Sequence, residues 1–240
     1  MSNPTAAMLV IGDEILSGRT RDANMHHLAG QLTEAGIDLK EVRIVSDDKT
    51  AIVGAVNTLR SQYGHVFTSG GIGPTHDDIT ANCVADAFGV HIDVRDDARA
   101  LLAAHYANRG MEFNTARQRM ARIPDGASLI DNPVSIAPGF ALDNVYVMAG
   151  VPSVFKAMLA SVLAGLTGGQ PLISATLRVD RGEGEIAGPL GILANKWTEV
   201  TFGSYPFQID GRYGANIVIR GQDDTKVQAA LQELRGIFAQ

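Results

Sequence analysis

The sequence predicts an α/β chain: a doubly wound, mostly parallel sheet over residues 1–167, followed by a small α+β unit over residues 171–240. Three observations carry this. Short apolar runs alternate with amphipathic segments three times before Gly89, the pattern of parallel strands joined by crossover helices on both sheet faces. Clusters of glycines and acids follow the apolar runs, at the strand ends where open α/β sheets bind ligands. After Thr167-Gly168-Gly169-Gln170-Pro171, a linker by composition, the pattern becomes the alternation of half-exposed strands.

In order, residues 6–11 (AAMLVI) form a buried strand stopped by Gly12-Asp13-Glu14. A helix over 22–35 sets Met25, Leu28, Leu32 and Ala35 at helical spacing before Gly36. A strand over 39–45 ends at Ser46-Asp47-Asp48. A helix over 49–63, with Ile52, Val56, Leu59 and Tyr63 on one face, stops at Gly64. A third strand, 65–68, runs into a glycine-rich turn, and a third helix covers 79–88. Residues 97–108 and 114–122 read as helices, 124–139 as turns around one or two short strands, 146–148 as a strand and 153–163 as a helix. In the second unit, 172–179, 199–207 and 216–220 read as strands, and 185–197 and 225–238 as helices.

Composition narrows the function classes. Hydrophobic residues make up 45% and charged residues 19%, enough apolar material for a core, so disorder is excluded. The net charge of −6, with no basic stripe, argues against a nucleic-acid surface. One cysteine, Cys83, excludes a disulfide framework and a multi-cysteine zinc site, and its apolar helix face makes it a buried small hydrophobe. No apolar stretch approaches the ~20 residues of a membrane span. The first residues lack the positive start of a secretory signal, so a cytoplasmic protein is expected.

Four clusters fall just after strands: Gly12-Asp13-Glu14, Ser46-Asp47-Asp48, residues 69–78 and residues 149–153. In a parallel sheet they share one rim. The stretch Ser69-Gly70-Gly71-Ile72-Gly73-Pro74-Thr75-His76-Asp77-Asp78 is the most informative. Its glycines let the backbone approach a ligand, and the helix after it aims N–H groups at the loop, which suits a phosphate. It is neither a dinucleotide fingerprint nor a P-loop. Thr75 and Asp78 also have the spacing of a capping box, and Asp47 that of a helix cap. Adjacent acids beside a phosphate loop nonetheless call for a cation, because carboxylates repel phosphate. Gly150-Val151-Pro152-Ser153 starts another helix at the same rim. Arg117, Arg119 and Arg122 read as one basic helix, either solvated or clamping an anion from a neighbouring subunit. His26 and His27 do not share a helix face, and His76 is placed to touch a ligand.

Ile11-Gly12-Asp13-Glu14-Ile15-Leu16-Ser17-Gly18 with Asp22 and Asn24, the run from Ser69 to Thr80, Asn132-Pro133 with Ala137-Pro138-Gly139-Phe140, and Gly150-Val151-Pro152 together resemble the MoaB/Mog molybdopterin-binding domain of CinA-type proteins. The motifs cover about residues 6–165, and the tail is similar to the KH-like unit that follows this domain. The tail shows no basic Gly-x-x-Gly loop, so no RNA contact is expected. The resemblance implies a homo-oligomer with a pterin- or nucleotide-binding rim. One branch hydrolyses nucleotide pyrophosphates such as ADP-ribose or FAD with a divalent metal (Mg, Mn or Co). The other adenylates molybdopterin. Asp78 matches the catalytic aspartate and Asp47 a second one. The C-terminal deamidase of full-length CinA-type proteins has no counterpart before Gln240, so a stand-alone version without deamidation is expected.

The expected site therefore has Asp78 and Asp47 as catalytic groups. Ser69, Gly70, Gly71, Gly73, Thr75, Gly12, Gly150 and Pro152 hold the phosphate or pterin, and Asp13, Asp77 and Asp78 hold the metal. The leading expectation is a metal-dependent nucleotide pyrophosphatase acting on a small phosphorylated ligand. The rivals are a molybdopterin-binding transferase or carrier and a scaffold with a vestigial site.

Overall fold

The computed structural model describes residues 2–238 and divides into two compact units that meet at Gly169 and Gln170. Met1, Ala239 and Gln240, the outermost residues of the two expected domains, lie outside the described residues. No helix among the described residues is long and apolar enough to cross a membrane.

In the first unit the chain forms β1 (Thr5–Ile11), a one-turn α1 (Asp13–Leu16), α2 (Asn24–Glu34), β2 (Asp38–Val45), α3 (Lys49–Gln62), β3 (His65–Ser69) and α4 (Thr80–Phe88). It continues through β4 (Ile92–Val94), α5 (Asp96–Asn108), α6 (Thr115–Gln118), a 3-10 turn (Arg119–Ala121), β5 (Arg122–Pro124), β6 (Ser128–Ile130), β7 (Gly139–Leu142), β8 (Val145–Met148) and α7 (Pro152–Leu163). The main sheet has the order β2-β1-β3-β8-β7-β6. Its first four strands are parallel, and β7 and β6 extend it antiparallel.

The apolar run of β1 is continuous because both faces of the strand are covered. Ala7, Leu9 and Ile11 pack with Ile52, Val56 and Leu59 of α3 and Val84 of α4. Ala6, Met8 and Val10 pack with Leu28 and Leu32 of α2 and Phe155, Met158 and Leu159 of α7. Burying each large side chain contributes about 1.5–3 kcal/mol. Cys83 belongs to the first cluster and is 1% exposed, as its helix face predicts.

The middle of the unit departs from expectation. The helix predicted over 114–122 is broken. Asn114 caps the short α6 by accepting from the Arg117 N–H at 3.1 Å. The 3-10 turn then tightens the chain, and Arg122 already pairs with Val94 as a strand residue. Its three arginines are therefore not one helical face. Arg117 lies over the Tyr106 ring at 4.3 Å, Arg119 donates to the Asp78 carbonyl at 3.3 Å and Arg122 to Asn82 at 2.9 Å.

The second unit runs β9 (Ile173–Val179), α8 (Glu183–Lys196), β10 (Thr201–Ile209), β11 (Arg212–Gly221) and α9 (Asp224–Phe238). Its antiparallel sheet has the order β10-β11-β9. Ala215, Ile217 and Ile219 of β11 meet Val227, Leu231 and Leu234 of α9 in a separate core. The central strand is longer than the predicted 216–220 because the hairpin with β10 extends its pairing to Arg212.

Candidate functional site

β1 has β2 on one side and β3 on the other, so the strand order reverses beside it. A crevice opens beyond the carboxyl ends of strands at such a point. The backbone is pressed close there. Gly70 has φ +111°, and a Cβ on it would run into the Ile11 carbonyl oxygen. Gly12 donates to the Val45 carbonyl at 3.1 Å, and the Asp13 N–H donates to the Asp47 carboxylate at 3.0 Å. The loops after β1, β2, β3 and β8 thereby converge on one cleft of about 390 Å³.

Four carboxylate residues line it: Glu14, Asp47, Asp77 and Asp78. Gly12, Gly71, Gly73 and Gly150 supply bare backbone, and Asn132 and Ser135 supply polar side chains. Ile72, Met120, Val154 and Met158 give it apolar walls. Among the described residues, the N–H groups of Gly71, Ile72 and Gly73 have no protein acceptor, which leaves three neighbouring donors for a ligand anion. Asp78 is fixed by Thr75, whose N–H donates to its carboxylate at 2.8 Å and whose hydroxyl donates to the same oxygen. A Cβ at Gly73 would stand 2.6 Å from that oxygen, so the glycine leaves room for the carboxylate.

The charges are uneven. Burial pushes the Asp47 carboxyl above the usual aspartate range; the Asp13 N–H opposes this, and Asp13, Glu14 and Asp77 add repulsion. Asp77 is held below that range by the Thr75 hydroxyl first, then by its own backbone N–H and His76. His76 is 99% exposed at its side chain and 3.9 Å from Asp77.

The structure revises several expected roles. Asp47 does not cap α3; Asp48 does, accepting from the Ala51 N–H at 2.8 Å, and Asp47 is left facing the cleft. Thr75 and Asp78 pair as their spacing predicts, yet α4 begins at Thr80, so they close a loop rather than cap a helix. Thr75 is spent on Asp78 and does not line the cleft; neither does Pro152, the first residue of α7. Gly70 lines the cleft with its own N–H donated to the Met148 carbonyl, and Ser69, 2% exposed and outside the lining, accepts from Asn24 through its hydroxyl. Asp13 contributes its N–H, while the carboxylate in the wall is that of Glu14. Among the described residues no group of three or more His, Cys, Asp or Glu side chains could hold a metal ion, so the expected Asp13, Asp77 and Asp78 set is not assembled.

Two contributors went unassigned from sequence. Asn24, 3% exposed, donates to the Ser69 hydroxyl at 2.7 Å and to the Gly150 carbonyl at 2.8 Å, tying two rim loops together. Asn132 shapes the opposite wall. It accepts from the N–H groups of Val134 and Ser135 and donates to Ser135 and Ala137. Both belong to the motifs that carried the family resemblance, which was the available signal.

Residues 7–169 match the model of the probable molybdopterin binding domain, and residues 171–240 match that of the FAD synthase middle domain. A probable FAD synthase of Caenorhabditis elegans is 30% identical over 259 residues, covering 98% of this chain and 50% of that protein. A CinA-like protein of Myxococcus xanthus is 35% identical over 176 residues, covering 71% of this chain and 40% of that protein. The chain thus spans about half the length, or less, of these curated relatives. The crystal structure of the protein CinA of Thermoplasma acidophilum, a protein of unknown function, is 31% identical with a TM-score of 0.62, covering 68% of this chain and 97% of that one.

Proposed function

The chain belongs to the MoaB/Mog molybdopterin-binding domain family, of the CinA type, and from that premise we propose that its rim cleft hydrolyses a nucleotide phosphoanhydride such as ADP-ribose or FAD. The observation that carries this reading is the pairing of three free loop N–H groups with four carboxylate residues in one cleft. The N–H groups call for a phosphate, and the carboxylates repel it unless a cation stands between them.

The donor set does not make an all-protein metal cage. It fits a hard divalent cation that keeps one or two carboxylates and takes its other ligands from substrate phosphates and water. Glu14 and Asp77 would share that cation with the phosphates. When bound, it neutralises phosphate charge and acidifies attacking water, worth several kcal/mol of barrier. The N–H groups of Gly71, Ile72 and Gly73 hold the oxygens of the phosphorus under attack. Asp47, its affinity for a proton raised by burial, accepts the proton of the water as the new P–O bond forms. The bridging P–O bond breaks, and AMP leaves together with ribose 5-phosphate or FMN. Asp78, locked by Thr75, keeps the loop in shape around the phosphate.

AMP release from ADP-ribose or FAD with Mg²⁺, Mn²⁺ or Co²⁺ tests this. An Asp47→Asn variant should lose about 10²–10⁴-fold in rate and stay folded. No turnover by the unaltered chain at high enzyme concentration would overturn the reading. A pterin ligand is the second reading, favoured by the apolar walls of Ile72, Met120, Val154 and Met158, which suit a flat ring system. Calorimetry with molybdopterin separates the two.

A further inference from the structure

The main sheet ends on one side in a long strand. β2 has eight residues and, among the described residues, pairs with β1 alone, whereas the opposite edge strand, β6, has three residues. In a parallel pair, alternate residues turn both backbone groups toward the neighbour. The Gly12 N–H donates to the Val45 carbonyl, which fixes the alternation. Arg43 and Val45 therefore face β1 with their backbone groups, and Val42 and Ile44 turn theirs outward, to the side where no described strand pairs. Val42 and Ile44 are also 38% and 44% exposed, so the edge is apolar as well as unpaired. A long edge of this kind is a template for another strand.

The charges on β2 select the occupant. Consider two antiparallel copies of the strand related by a two-fold axis through Val42. The two copies of Val42 then exchange both backbone hydrogen bonds, and Glu41 of each copy stands opposite Arg43 of the other. Within one chain Arg43 already donates to Glu41, so the pairing closes a ring of four alternating charges without breaking that bond. Other registers fit worse. An axis at Arg43 or at Glu41 sets two like charges face to face, and an axis at Ile44 sets Glu41 against Asp47. Like charges directly opposite are destabilising. An axis between residues opposes an outward-facing residue to an inward-facing one and loses the ladder. The edge is thus complementary to itself in one register.

We propose that β2 pairs antiparallel with β2 of a second copy of this chain about an axis at Val42, joining the two six-stranded sheets into one continuous sheet. The antiparallel arrangement sends the rim clefts, which lie beyond the carboxyl ends of the parallel strands, to opposite sides of the dimer. Each cleft is complete without the other copy, and the pairing stands whether or not the clefts hydrolyse anything.

The test is analytical ultracentrifugation of the full chain over a range of concentrations, with the urea midpoint of each variant measured alongside. The unaltered chain should dimerise with a dissociation constant at or below ~100 μM. Val42→Pro removes an N–H that only the second copy would use, at an edge position where proline is tolerated, and should weaken the dimer by about tenfold or more. Should Val42→Pro lower the urea midpoint, Ile44→Lys reads the same edge by setting a second ammonium opposite Lys40 of the other copy. Glu41→Lys and Arg43→Glu should each weaken self-association by about tenfold, and an equimolar mixture of the two should recover the dimer, because an all-cationic edge then meets an all-anionic one. The proposal is overturned if the unaltered chain stays monomeric up to ~500 μM, if its association survives the edge variants unchanged, or if the mixture associates no better than either charge variant alone.

Discussion

The carboxylate of Asp47 accepts a hydrogen bond from the backbone N–H of Asp13 at 3.0 Å, joining the loops after two neighbouring parallel strands at the mouth of the cleft. The same carboxyl is pushed up by burial and by neighbouring acids. Its folded form holds a proton more tightly than the unfolded chain does. The resulting cost to stability is absent below the ordinary aspartate value of about 3.9. It develops as pH rises toward the raised folded value and is fully present above it. Asp47→Asn keeps an oxygen for the Asp13 N–H but removes this titration. Urea unfolding at several pH values should show the variant at least as stable as the unaltered chain at pH 7, with a flatter dependence in that window. Its hydrolytic rate should fall by about 10²–10⁴-fold, because the proton acceptor is gone.

Gly70 is required for a different reason. At φ +111°, with the Ile11 carbonyl where a Cβ would go, Gly70→Ala must shift the backbone at the reversal of strand order. The expected loss is about 2–4 kcal/mol. Gly54, in α3 with open space around its Cβ position, is the control. Gly54→Ala should stabilise the chain by about 0.5–1 kcal/mol. Equal urea midpoints for the two variants would contradict the close approach.

Much of this was legible in the sequence, for physical reasons that differ by residue. The run Ala6 to Ile11 could only be a strand buried on both faces, and the glycines and acids after each parallel strand had to share its rim. What failed was local competition. Asp47 and Asp48 are equally good caps on paper, and only the position of the Asp13 N–H decides which one turns to the cleft. The one-turn α1 brings Glu14 rather than Asp13 to the wall, a choice that a single turn is too short to announce by periodicity. Strands of three residues, such as β4 and β5, are likewise too short to alternate visibly.

Asn24 gives a test of rim architecture that does not depend on catalysis. Asn24→Ala removes both bonds from its amide nitrogen and leaves a hydroxyl and a carbonyl without their donor. An unmet buried polar group costs about 1–3 kcal/mol. The melting temperature should drop by several degrees. Hydrogen exchange at Ser69 and Gly150 should speed up, while α5, away from this contact, stays protected.

Cys83 should behave as core rather than as a reagent. Burial pushes its thiol up to about 11, so almost no thiolate exists at neutral pH. An aromatic disulfide reagent at pH 8 should leave the native chain unlabelled and label one thiol after unfolding in guanidinium. Rapid labelling of the native chain would place the thiol at the surface.

The four acids of the cleft allow the sign of an effect to be inverted by a cation. With no divalent ion present, Glu14, Asp47, Asp77 and Asp78 oppose the approach of a phosphate, and Glu14→Gln with Asp77→Asn halves the number of these carboxylates. A non-hydrolysable methylene analogue of ADP should then bind about 3–10-fold more tightly in chelator; Asp77 is largely solvent-exposed and its charge is screened, which keeps the gain small. With Mg²⁺ added the order should reverse, because the double variant has lost the carboxylates proposed to share the cation with the phosphates. Steady-state release of AMP should fall with the loss of Mg²⁺-dependent affinity. If the variant gains affinity both with and without Mg²⁺, the acids act only by repulsion, and a cation shared between protein and substrate is not how this cleft holds a phosphate.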